Sequence, residues 1–246
     1  MSVSSAKPFR IDVWSDVVCP WCYIGKRRLE RALAEFPNRE EVEVVWHSFE
    51  LDPKSPKEHD ATKSHAERLS TKLGCSKSEA EGMIKRVADL ASADGIGMQL
   101  EKSHSGNTFD AHRLIHLGKA HGIQDAVKER FFKGYMTEGE SIGNTKTLER
   151  LAVDAGLPAE EVRSVLESDR YAEDVRADEE EAQEIGVRGV PFFVLGERYA
   201  VSGAQPAELL TRAITEAWKE AKAKPTPIAE TAVLPDGTVC GPDGCA

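Results

Sequence analysis

Strand character in this chain lies only near its two ends, and that placement constrains the fold more than any other feature. Residues 9–14 and 42–49 alternate apolar and charged side chains with β-branched content and read as strands. Between them, residues 20–36 carry Leu29, Ala32, Leu33 and Phe36 at helical spacing. A strand–helix–strand unit crosses over right-handedly. Its strands therefore run parallel, and its helix starts at the carboxyl end of the first strand, where reactive groups collect. After a polar stretch at 52–60 the pattern is helical to about Gly186. Ser64-x-x-Glu67 and Ser76-x-x-Glu79 are capping-box patterns within it, and Pro158 suits a first helical position. Strands return at 190–195 and 198–202, joined by Gly196-Glu197 as a tight turn. Pro206 then opens a helix with the apolar stripe Leu209, Leu210, Ala213, Ile214, Ala217 and Trp218. The expectation is an α/β fold in which 8–52 and 187–222 form one domain, 53–186 a large inserted helical domain, and 223–246 a C-terminal tail.

Cys19-Pro20-Trp21-Cys22 falls at the junction of the first strand and helix. Pro20 occupies a position whose N–H has no helical partner anyway. A Cys19 sulfur there faces the free N–H groups of the first turn and the positive end of the dipole, both of which favour thiolate over thiol. Cys22 lies one turn further on, within reach of Cys19, which suits a resolving thiol. A C-x-x-C pair can also be half of a zinc site. A zinc ribbon places its second pair within roughly 12–20 residues, and here the next cysteine is Cys75. Gly189-Val190-Pro191-Phe192-Phe193 adds a proline at a strand entry. A cis peptide at Pro191 would leave the Val190 backbone free to pair with an extended substrate.

Composition narrows the partners. A net charge of −10 disfavours a phosphate backbone, which is bound by Lys and Arg clusters that displace counterions, so nucleic acid is not an expected partner. The one tight basic cluster, Lys26-Arg27-Arg28, reads as a solvated helix face. Residues 1–7 are polar, and the apolar stretch after them is broken by Arg10, Asp12 and Asp16. Neither a secretory leader nor a membrane span is therefore expected, and the cytoplasm is the expected location. Structural disulfides are rare there, so the five cysteines point to redox chemistry or metal.

With these residues in view, the chain resembles the DsbA family of thiol–disulfide oxidoreductases over roughly residues 9–222. It is most similar to the FrnE-like branch, through Cys19-Pro20-Trp21-Cys22, Gly189-Val190-Pro191, the 107–113 stretch Asn-Thr-Phe-Asp-Ala-His-Arg, and Ser202-Gly203-Ala204-Gln205. The resemblance implies a thioredoxin-like fold with an inserted helical domain, Cys19 as attacking thiol, Cys22 as resolving thiol, and Pro191 in cis opposite them. It also implies that His112 and Arg113 line the groove beside the dithiol, together with Pro20, Trp21 and Val190. Protein thiols and disulfides are then the substrates, glutathione or a thioredoxin-type reductant the candidate electron partner, and no cofactor is called for. Trp21 stands where the best-known periplasmic members have histidine, which argues against a strongly oxidising role. Kappa-class glutathione transferases and 2-hydroxychromene-2-carboxylate isomerases look similar over the same core but usually carry serine at the first cysteine. They remain the alternative enzyme reading, and a zinc-binding or chaperone-like module the alternative binding one.

Cys240 and Cys245 flank a Pro-Asp-Gly turn that can bring their Cα atoms within disulfide range, a candidate second redox pair. Cys75 reads as a structural thiol between two helices. His112 and His116 stand at i, i+4 without a third ligand nearby, so no metal site is expected. Asn107 or Thr108 caps a helix whose dipole Asp110 complements. Asp16 reads as a solvated carboxylate at a strand end, with proton transfer from the resolving thiol as its alternative role.

Overall fold

The computed structural model describes residues 7–57, 62–104 and 106–223. Strand β1 (Phe9–Ser15) leads into helix α1 (Pro20–Glu35) and then β2 (Val42–Ser48). The helical block follows as α2 (His65–Leu73), α3 (Lys77–Ala93), α4 (Phe109–Ala120), α5 (Gln124–Met136), α6 (Thr145–Asp154), α7 (Ala159–Leu166) and α8 (Ala172–Glu184). The chain then returns through β3 (Phe192–Leu195), β4 (Tyr199–Ser202) and α9 (Ala207–Lys222). The four strands lie in the order β2-β1-β3-β4, with β1 parallel to β2 and antiparallel to β3.

Because side chains alternate across a pleated strand, β3 splits cleanly between two cores. Phe193 and Leu195 join Ile11, Val13, Ile24 and Leu29 beneath α1 and α9, where Leu210 and Ile214 close the layer. Phe192 and Val194 face the other way, packing with Trp14, Ala182 and Val187 under α8. So α8, which the sequence reading assigns to the inserted block, also covers the second face of the sheet.

Both capping boxes form: Ser64 accepts from Glu67 N–H and Ser76 from Glu79 N–H, while each glutamate reaches back to the cap backbone. Gly196 and Glu197 both take positive φ, 58° and 62°, with Arg198 N–H donating to Leu195 O at 3.3 Å, a tight turn that suits the strand twist. Pro158 sits one residue earlier than expected, as the N-cap of α7.

The largest departure from expectation is the basic cluster. Lys26 is buried rather than solvated. It pairs with Glu30, with Asp125 at 3.1 Å and with Glu129 at 3.3 Å, fastening α5 to α1. Arg27 joins Glu129, and Arg28 holds Asp94 at 2.9 Å and the Ala204 carbonyl at 2.6 Å. Helix α5 also closes the β2 edge. The Gln124 amide accepts from Trp46 N–H at 3.0 Å and donates to Trp46 O at 2.8 Å, a side chain standing where another strand would pair.

Candidate active site

The turn from β1 into α1 sets the site. Cys19 N–H donates to Asp16 O at 3.2 Å and Cys22 N–H to Cys19 O at 3.0 Å, so Cys19 is the N-cap and Pro20 the first helical residue. The Cys19 side chain makes no capping bond, and its Sγ lies 3.5 Å from the carbonyl oxygen of Val190. The Val190–Pro191 peptide is cis. The two sequence features, 171 residues apart, thus meet, sulfur against the residue preceding proline. Cys19 is 4% exposed and Cys22 not at all, and both are free thiols. Burial pushes the Cys22 thiol well above its ordinary range, with the Cys19 sulfur alongside reinforcing that shift, while Asp16 N–H and Lys128 act against it. Trp21 and Leu51 are exposed, and Val18 and Val190 are partly buried against the core.

A family model described as a DSBA-like thioredoxin domain matches residues 10–215. The chain belongs to the DSBA-like thioredoxin domain family. Among solved structures it is similar to a probable DsbA oxidoreductase from Streptomyces coelicolor, at 45% identity and a TM-score of 0.83, covering 97% of this chain and 98% of that one. It also resembles the uncharacterized protein YwbO of Bacillus subtilis strain 168, 26% identical over 212 residues, 85% of this chain and 98% of the relative. The cytosolic disulfide reductase DsbM of Pseudomonas aeruginosa, solved with GSH, shares the fold at 16% identity and a TM-score of 0.56, over 86% of this chain and 99% of that one.

This DSBA-like chain packs its cis proline against bare helix. A methyl group added at Gly25 would lie 2.9 Å from Pro191 Cγ and 3.3 Å from Phe193 Cζ, so glycine is what lets the proline loop approach α1. Gly25→Ala is expected to lower stability by about 1–2 kcal/mol, overpacking outweighing the gain in helix propensity. It should also slow alkylation of Cys19 by shifting the loop beside it. Urea denaturation and iodoacetamide kinetics check this, and a variant as stable and as reactive as the parent would show that the contact is slack.

The 107–113 stretch serves the site from behind, and not in the way its motif suggests. Asn107 Oδ1 accepts from Phe109 N–H at 2.9 Å at the start of α4. Arg113 does not line the dithiol groove. Its guanidinium bonds the carbonyls of Val165, Ser168 and Arg170 at the end of α7 and pairs with Asp110 at 2.8 Å. His112 is fully buried, its Nε2 3.4 Å from Asp16 Oδ1, and among the described residues neither ring nitrogen has a partner at full hydrogen-bond geometry. Asp16 is no solvated strand end either, because the protein covers it completely. Burial pushes its carboxyl up, but His112 alongside and the Leu51 N–H at 2.8 Å more than offset that and hold it below the usual range.

Sequence reasoning passed over Lys128, Glu50 and Asp178 entirely. Lys128 of α5 is fully buried behind the dithiol, and burial pulls its ammonium down to about 8. Glu50 is buried, held by Asn107 and Arg176. Asp178 of α8 gathers His47 Nδ1 at 2.7 Å, Ser48 N–H at 2.7 Å and His116 Nε2 at 2.9 Å, while His47 Nε2 meets Asp12 at 2.7 Å. Among the described residues, the group of histidine, cysteine and acidic side chains close enough to share an ion is His47, Asp178 and Glu181, and both His47 nitrogens are already hydrogen-bonded to carboxylates. Cys75 is partly buried between α2 and α3. Cys240 and Cys245 lie outside the described residues.

Proposed function

We propose that this chain is a protein thiol–disulfide oxidoreductase or isomerase, with Cys19 as the attacking thiol and Cys22 as the resolving one. The observation that carries this reading is the asymmetry of the dithiol. Cys19 sits at the helix start against the residue before the cis proline, while Cys22 is sealed beneath it with its thiol pushed up. Only the outer sulfur can meet a substrate disulfide, and only the inner one can expel the substrate afterwards. An extended polypeptide fits the backbone at Val190 and Pro191, with Trp21 and Leu51 as apolar flanks.

No described helix is long and apolar enough to cross a membrane. We place the activity in the cytoplasm, with glutathione or a thioredoxin-type reductant as electron partner and Cys240/Cys245 as a second redox pair. The cytosolic reductase DsbM, which shares the fold and was solved with GSH, supports that setting.

The test is equilibration of the full chain in glutathione buffers, followed by alkylation and mass spectrometry. A Cys19–Cys22 disulfide should form with one midpoint within about −270 to −120 mV. A pair that stays reduced across that interval overturns the reading.

A further inference from the structure

The helical block sends one bare charge toward the dithiol. Lys128 Nζ donates to Ser15 O at 3.2 Å and lies 5.3 Å from the ring centre of Phe132 and 5.8 Å from that of Trp46, with no exposure to solvent. It has no salt bridge among the described residues. An ammonium in such surroundings is strongly unfavourable unless an anion answers it. The ionisable groups whose charge acts on it are Cys22 on α1, Asp16 just past β1, Cys19 at the N-cap of α1, and Asp178 on α8. Asp178 is already held by His47 and His116, and Asp16 by the Leu51 N–H with His112 beside it. The thiols are the members of this set whose charge must change during disulfide exchange.

We propose that Lys128 is the internal counter-ion of the Cys22 thiolate, so that a residue of the helical block governs the second half of exchange. The inference rests on the dithiol reading above and concerns the regulation of that same site. In the step concerned, Cys22 gives up its proton and its thiolate attacks the Cys19 sulfur of the Cys19–substrate disulfide. The bond from Cys19 to substrate breaks as the Cys19–Cys22 bond forms, and the departing substrate thiolate takes up a proton. The substrate is reduced and the cysteine pair oxidised. Lys128 touches no substrate. It acts through Cys22, offsetting in a site closed to water the charge that burial otherwise forbids. Once the disulfide has formed neither sulfur carries charge, and Lys128 holds its own proton less tightly than it does opposite a thiolate.

The experiment is stopped-flow reaction of the reduced full chain with dithiobis(nitrobenzoate). A first phase reports attack by Cys19, and a second reports release of the Cys19 adduct by Cys22. Lys128→Met should slow the second phase about tenfold or more, leave the first within about threefold, and move the pH midpoint of the second phase up by about one unit, a unit being a factor of ten in thiolate population. Lys128→Arg, which keeps the charge, should stay within about threefold of the parent. A second phase unchanged in Lys128→Met, or equally slow in Lys128→Arg, overturns the proposal. Should Lys128→Met not fold, Lys128→Gln decides in the same assay: a second phase slowed about tenfold or more is expected, and an unchanged second phase overturns it. A parent chain with no second phase at all would remove the exchange reading itself, a result separate from any of these.

Discussion

Cys19→Ser is expected to abolish disulfide exchange, lowering the rate by about three orders of magnitude or more. The reason is one of atoms as much as of reactivity: a serine oxygen cannot enter the mixed disulfide through which electrons pass. Cys22→Ala should behave differently. Its Cys19 can still attack, but the variant lacks the buried sulfur that expels the substrate. It should accumulate a covalent adduct with substrate proteins, seen as a ladder on a non-reducing gel that collapses with dithiothreitol. Insulin reduction and recovery of scrambled ribonuclease measure the two rates. Full activity in Cys19→Ser would sink the proposed function, and turnover of an electrophile that survives Cys22→Ala would favour a glutathione-dependent transferase or isomerase.

The second large effect concerns stability. Asp178→Ala should cost about 3–5 kcal/mol near pH 6, because it strands the groups that the carboxylate gathers: His47, His116 and Ser48 N–H. For a chain of this size that corresponds to a fall in Tm on the order of 10 °C. The pH profile has a definite shape. Burial pushes Asp178 up, but the two histidines and the Ser48 N–H outweigh it, so its carboxyl titrates far below the ordinary 3.8; its contribution is complete above that value and fades as the pH falls through the folded one. Burial pulls His47 down, but its bonds to Asp12 and Asp178 outweigh that and raise it above 6.5; its contribution is complete below 6.5 and fades as the pH climbs through the raised value. The difference between parent and variant should therefore be widest from about pH 4 to 6.5 and shrink on either side. Thermal unfolding across that range checks it, and a flat difference would mean that the network is held by packing alone.

Much of the fold was legible because its signals are local. Strand alternation, two capping boxes, a proline at a helix start and a turn before a strand each speak within a few residues, and the structure realises them at Ser64, Ser76, Pro20 and Gly196. The dithiol was legible for the same reason. What escaped is long-range charge pairing. Lys26 in a run of three bases has no local mark separating it from a solvated lysine, yet it is buried among acids of α1 and α5. Asp16 looks like any carboxylate after a strand until α4 brings His112 to cover it. Lys128 sits on a helix of mixed composition, and its meaning comes only from which strand end that helix reaches. Arg113 was misplaced by its proximity in sequence to His112: successive helical residues point about 100° apart, so one faces Asp16 and the other the end of α7.

The Gln124 amide on Trp46 has a consequence for how the molecule behaves in a crowd. Of the two rims of the sheet, the β2 side is sealed by α5 and a side chain, and the β4 side offers only four residues, followed by Gly203 with φ of 78°. Neither rim provides a long template onto which a stray strand could zip. If the proposed exchange with extended polypeptides holds, such substrates would meet Cys19 and the short backbone at Val190 without finding a sheet edge to lengthen.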